Sequence, residues 1–251
     1  MRRLVRQGLE AGLASYLDRQ QELLDGGADV EATWKRQRQS AAMRRIADIL
    51  SAMTGVRCRC MYCEDSRGTD IEHFRPRHYR DQVFRWPNLL WICAGCNRCK
   101  GNRFPCDSAG QPLLIDPTAE DPWDFLFFDP QTGEITARWD VSTGEEVPKG
   151  SQTIQLLSIL RHQAITEGRQ RVRRNLERAV RRFLERATAE DGEGAHPGLL
   201  EDLLESIDDA DGYGLAHWFF LREGQDEGAF RELRQGFPSA WAEVVARLTA
   251  V

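Results

Sequence analysis

The chain has 251 residues, 41% of them hydrophobic and 29% charged, which suffices for one larger domain or two small ones with a core. Its apolar stretches run only a few residues, which excludes a membrane-spanning helix, and Glu10 and Asp18 interrupt the run a signal peptide needs after the basic Met1–Arg6 segment. The net charge of −5 hides an asymmetry: residues 1–110 carry 19 Lys/Arg against 13 Asp/Glu, residues 111–251 carry 15 against 26, so only the N-terminal part can face a polyanion uniformly.

Leu4, Val5, Leu9, Leu13, Leu17, Leu23 and Leu24 recur at helical spacing, predicting a helix over 3–24 that Asp25-Gly26-Gly27 stops. Asp29 then caps a second helix carrying Trp34, Ala41, Ile46, Leu50 and Met53 on one face and ending near Gly55. Residues 1–55 thus read as a helical hairpin. Residues 56–108 are rich in cysteine, aromatic and basic residues and lack helical periodicity. Residues 109–150 read as irregular β-structure, with a strand at Leu126–Phe128, a turn at Asp129–Gly133 and a strand at Ile135–Trp139. Residues 151–251 read as a C-terminal helical region. It opens on a long amphipathic helix from Thr153 to about Ala187, with Leu156, Leu157, Leu160, Val172, Leu176, Val180, Phe183 and Leu184 inward. Ala189–Gly198 has the composition of an exposed linker, and short helices follow, the last around Trp241, Val244, Val245 and Leu248.

All seven cysteines lie between Cys58 and Cys106. A secreted, disulfide-stapled protein spreads its cysteines through the fold; clustered ones in a chain without a leader predict a metal site in a cytoplasmic protein. Cys60-x-x-Cys63 and Cys93-x-x-Cys96 are two knuckles 29 residues apart, the pattern of a tetrahedral four-cysteine zinc site. Cys58, Cys99 and Cys106 are left as spares. Four thiolates leave no open coordination position, so such a zinc is structural.

Between the knuckles lies Asp70-Ile71-Glu72-His73-Phe74-Arg75-Pro76-Arg77. On a strand Asp70 and Glu72 share a face, and a carboxylate beside a histidine can hold a hard cation next to a general base. Asn88 supplies an amide able to orient an imidazole, and Asn97 directly follows the last cysteine of the zinc set.

In this order, C-x-x-C, E-H-F-x-P, N-L and C-x-x-C-N-x-x-K-G over residues 58–105 resemble the HNH endonuclease family with its ββα-metal fold. The resemblance implies His73 as general base, Glu72 and Asn97 as ligands of a catalytic Mg²⁺ or Mn²⁺, and Asn88 as the residue that orients the histidine. Many family members carry Asp where this chain has Glu72. A narrower resemblance is to the HNH subunits of Septu-type and some retron antiviral defence systems. It rests on C-x-Y-C-E, I-E-H-F-x-P, Pro112–Pro117, Glu120–Pro122 and the helical tail, and it implies an ABC-type ATPase (PtuA-like) partner, supplied separately since this chain has no Walker motif. The fold class expected is therefore α+β and mainly α: a zinc-stapled ββα-metal HNH module at 56–108 between helical regions.

Arg75, Arg77, His78, Arg80, Arg85, Arg98, Lys100 and Arg103 surround the motif and suit a phosphate track, with Arg75, Arg77 and above all Lys100 as contacts to a nucleic-acid substrate. Tyr79, Phe84 and Trp86 read as core aromatics before base-stacking ones. The arginines between Arg169 and Arg186, interspersed with Glu167, Glu177 and Glu185, read as an ordinary charged helix face. The expected activity is phosphodiester hydrolysis. Its rivals are a non-catalytic zinc module that binds nucleic acid, a zinc-stapled adaptor for an ATPase, and a stand-alone restriction or homing nuclease.

Overall fold

A computed structural model describes residues 1–189 and 197–249. It is α+β and mainly helical, its strands forming three two-stranded sheets among the described residues. No described helix is long and apolar enough to cross a membrane. The described residues cluster into two units, one built from 3–126 and 137–160, the other from 127–136 and the described residues from 161 onward.

In the first unit, α1 runs Ala11–Asp25, α2 Val30–Gln37 and α3 Ala41–Ala52. Two expectations change here. Residues 3–10 are not helical: the Leu4 N–H donates to the Pro117 carbonyl at 2.7 Å, and the Arg6 guanidinium donates to the Trp86, Leu89 and Pro87 carbonyls at 2.9–3.1 Å. Tertiary partners override the local periodicity. The second expected helix is two, because Ser40 accepts from the Met43 N–H at 3.2 Å and starts a new helix, a cap worth about 1 kcal/mol. Asp29 caps α2 as expected, accepting from the Ala32 N–H at 2.7 Å.

Strand β1, Asp70–His73, pairs antiparallel with β2, Leu89–Ile92, with Asp70 opposite Ile92 and His73 opposite Leu89. Gly68 lets the chain enter β1, since a Cβ there would lie 2.2 Å from the Trp91 indole nitrogen. Helix α4, Ala94–Lys100, follows β2 and packs against β1. It stops at Gly101, whose φ of 52° and ψ of −137° suit only glycine. Phe84 is core, whereas Tyr79 and Trp86 are half-buried.

The strand–turn–strand expected near residue 130 is present as β3, Leu126–Phe128, and β4, Ile135–Ala137. Trp139 leaves that pair: β5, Trp139–Asp140, pairs instead with β6, Glu145–Glu146. The long helix expected from Thr153 is broken as well. Helix α5, Pro148–Leu156, ends at Leu157, which leaves helical geometry at φ −98° and ψ 56°.

In the second unit, α6 spans Gln163–Ala189 and buries Leu176, Val180 and Phe183; Val172 and Leu184, expected inward, are half-buried. Its arginines are largely engaged: Arg173 and Arg181 both pair with Glu177, and Arg186 with Asp202. The expected linker's first and last residues belong to α6 and to α7, Pro197–Ala210; the rest of it lies outside the described residues. Helix α8, Leu215–Leu221, is buried on most sides, and Phe219 stacks on Phe230 of α9, Gly228–Gly236, at 4.3 Å. Helix α10, Pro238–Thr249, buries Ala240, Val244 and Leu248.

Candidate active site and metal centre

The first knuckle is pinned to β2 by two hydrogen bonds, Met61 N–H to the Trp91 carbonyl at 2.9 Å and Trp91 N–H to the Met61 sulfur at 3.2 Å. The second knuckle is the start of α4, where Cys93 caps the helix by accepting from the Cys96 N–H. The hairpin therefore carries both pairs to one point. The Sγ atoms of Cys60, Cys63, Cys93 and Cys96 all lie within 4.8 Å of one another, and all four residues are buried. Cys63 Sγ and Cys93 Sγ are 3.8 Å apart. A tetrahedral ion with zinc–sulfur bonds of about 2.3 Å requires sulfur–sulfur edges of about 3.8 Å, so the donor set fits zinc. Burial, and then the neighbouring sulfurs, push the Cys60 thiol well above its ordinary value; a cation is what lets four thiolates share this site. Cys58, Cys99 and Cys106 lie outside the cluster.

Asp70, Glu72, His73 and Asn97 line one cleft of about 230 Å³, together with Trp34 and Arg38 from the N-terminal helical region. The edge of Trp34 meets the His73 ring at a centroid distance of 4.3 Å. His73 Nε2 lies 3.0 Å from the Val83 carbonyl. A carbonyl can only accept, so Nε2 carries the proton and Nδ1 keeps its lone pair. Burial, reinforced by Arg77 and Lys100, lowers the His73 pKa to about 3, so the ring is neutral at ordinary pH.

Asn88 acts differently from what the family resemblance implies. Its Oδ1 accepts from the Arg75 N–H at 2.7 Å, and its Nδ2 donates to the Arg75 and Gln82 carbonyls at 3.0 and 2.9 Å. The amide thus fixes the backbone after β1 and before Val83, and Val83 holds the ring. Sequence reasoning had no signal for a backbone carbonyl. It did have one for Gln21, a polar residue in register with Leu13, Leu17 and Leu24. Gln21 is fully buried, accepts from the Phe84 N–H at 2.9 Å and donates to the Arg80 carbonyl at 3.0 Å, clamping the loop that presents Val83.

Lys100 also departs from expectation. It is fully buried, and its Nζ lies 2.9 Å from Glu72 Oε1. Burial pulls its pKa down while Glu72 opposes that. A side chain at the foot of α4 with no exposed surface cannot meet a phosphate, so its charge serves Glu72. Arg75 lies over the rings of Phe104 and Tyr79, and Arg77 is held by Glu31 through two hydrogen bonds of 3.0 Å.

Comparison with known proteins gives one partial match: 68 residues are 38% identical to the Septu protein PtuB of Bacillus thuringiensis. The match spans 27% of this chain and 25% of that protein. No family model matches the chain, and no solved structure matches it.

Proposed function

We propose that this protein is a metal-dependent HNH endonuclease built on a ββα-metal module, acting as the nuclease subunit of a Septu-type antiviral system with an ABC-type ATPase partner. The observation that carries the reading is that Glu72, His73 and Asn97 line one cleft, with the imidazole kept neutral by burial and oriented by the Val83 carbonyl. In that role His73 Nδ1 takes a proton from water as it attacks a phosphodiester. Val83 fixes the tautomer throughout, and Asn88 and Gln21 hold the loop that carries Val83. Glu72 and Asn97 offer the oxygen donors that a hard cation takes; with Oε1 on Lys100, Oε2 is the carboxylate oxygen left for it. A bound Mg²⁺ or Mn²⁺ supplies charge stabilisation at the phosphoryl group and the leaving oxygen. The Septu assignment rests on the partial likeness to PtuB, and the ATPase partner on what the motif resemblance implies.

A second reading, a zinc-stapled adaptor without turnover, is favoured by one observation: the carboxylate assigned to the catalytic cation is already paired with a buried lysine. The deciding experiment incubates plasmid DNA and total RNA with wild type and His73→Ala, with Mg²⁺ or Mn²⁺ and without, alone and with the ATPase, and measures zinc in both proteins. Cleavage by wild type only, with one zinc in each, is the expected result and identifies the polymer. Equal zinc and no cleavage under any condition makes the protein the adaptor.

A further inference from the structure

The cations that the motif itself supplies are mostly committed to the fold. Arg77 is tied to Glu31, Arg80 donates to the Leu24 and Ala28 carbonyls, and Lys100 is buried on Glu72. The cations left facing the cleft come from the N-terminal helices. Arg38, which ends α2, lines the cleft beside Glu72 and His73. It also lines a second groove of about 320 Å³, together with Lys35. The two hollows share Trp34, Arg38 and Arg77 and so lie side by side against α2.

Lys35 and Arg38 are three residues apart, on one face of the helix. Both are exposed, and neither side chain has a hydrogen-bond or ion-pair partner among the described residues. The acid in the second groove, Glu31, is neutralised by Arg77. The position of this face is fixed as well, because the buried Trp34 ring packs against both His73 and Phe84. An unpaired pair of cations on a helix anchored by Trp34, bordering a hydrolytic cleft, suits an extended polyanion, and the planar guanidinium of Arg38 matches phosphate oxygens bidentately.

We propose that α2 is the seat for the phosphodiester backbone of nucleic acid entering the cleft, with Arg38 and Lys35 contacting phosphates next to the scissile one. This rests on the nuclease reading and adds a substrate site outside the HNH motif. The test measures binding of a labelled 30-base-pair DNA duplex and a 30-nucleotide RNA by fluorescence anisotropy, without added divalent cation, across a salt series. The proteins are full-length wild type, the double variant Lys35→Gln/Arg38→Gln, and Arg36→Gln, whose residue sits on the same helix but lines neither hollow. Each lost phosphate contact flattens the slope of log affinity against log salt by about 0.9 on duplex DNA. The double variant is expected to flatten it by about 1.8 and to bind at least about tenfold more weakly at 0.1 M salt, while Arg36→Gln changes the slope little. An unchanged slope in the double variant, an equal loss in Arg36→Gln, or no binding by wild type each overturns the proposal. Cleavage is assayed separately with Mn²⁺, alone and with the ATPase: retained cleavage with an unchanged slope removes the seat alone, and a flattened slope with no cleavage under either condition removes the nuclease and leaves the seat.

Discussion

His73 is buried and neutral, and both properties have measurable consequences. The ordinary histidine pKa near 6.5 describes the unfolded chain, whereas the folded value is about 3. Between those values the unfolded chain binds a proton that the folded chain refuses, so this residue makes stability fall as pH falls. The difference between pH 7 and pH 5 comes to about 2 kcal/mol. Urea melts at the two pH values should show it in wild type, and His73→Gln should lack it. The same depression moves the acid limb of cleavage well below pH 6, which a pH–rate profile checks. His73→Ala itself should lower cleavage by at least about 10²-fold. Lys100 gives a second prediction. Removing one partner of a buried ion pair costs about 3–5 kcal/mol, so Lys100→Met should lower the melting temperature sharply, and Mn²⁺ should recover more of it in the variant than it adds to wild type. No Mn²⁺ effect on either protein would show that no cation sits at Glu72.

At the scale of elements, what could be read in the sequence was what is local. The turn at Asp25-Gly26-Gly27, the cap at Asp29 and the strand–turn–strand around Asp129–Gly133 all follow from side-chain chemistry within a few residues. The failures share one cause, which is partners far away in the chain. Leu4 and Arg6 lie in a stretch read as helical but bond to residues 80 or more positions on, and Asn88 meets backbone where an imidazole was expected. Gln21 allows a test of how much such distant support matters. Gln21→Leu fits an apolar stripe yet strands the buried Phe84 N–H, at a cost of about 1–3 kcal/mol. It also frees the loop bearing Val83. Steady-state kinetics should show kcat falling with KM little changed; an unchanged kcat would mean that Val83 needs no such clamp.

For the molecule as a whole, the four-cysteine cluster was fully legible because two-residue knuckles carry their geometry with them, whereas the cleft was legible only on the motif's side. Nothing in the pattern of α2 announced that Trp34 and Arg38 would line it. The four sulfurs have no disulfide or other covalent tie to stand in for an ion, and apparent binding energies of structural zinc run to about 10–16 kcal/mol in small zinc domains. Chelation, or Cys60→Ser with Cys93→Ser, should therefore abolish one calorimetric transition, that of the first unit, and leave one from α6–α10. A single transition unaffected by chelator would show that zinc does not hold the fold.

The shared wall of the cleft also bears on where the proposed activity could be cut or transplanted. A fragment beginning at residue 56 keeps every cysteine, Glu72, His73, Asn88 and Asn97, and by its signature alone would pass for a complete module. It would lack the tryptophan against the base, the glutamine behind its loop and the cations at its mouth. The signature and the working unit are thus different lengths of chain, and a graft onto another scaffold has to begin upstream of α1.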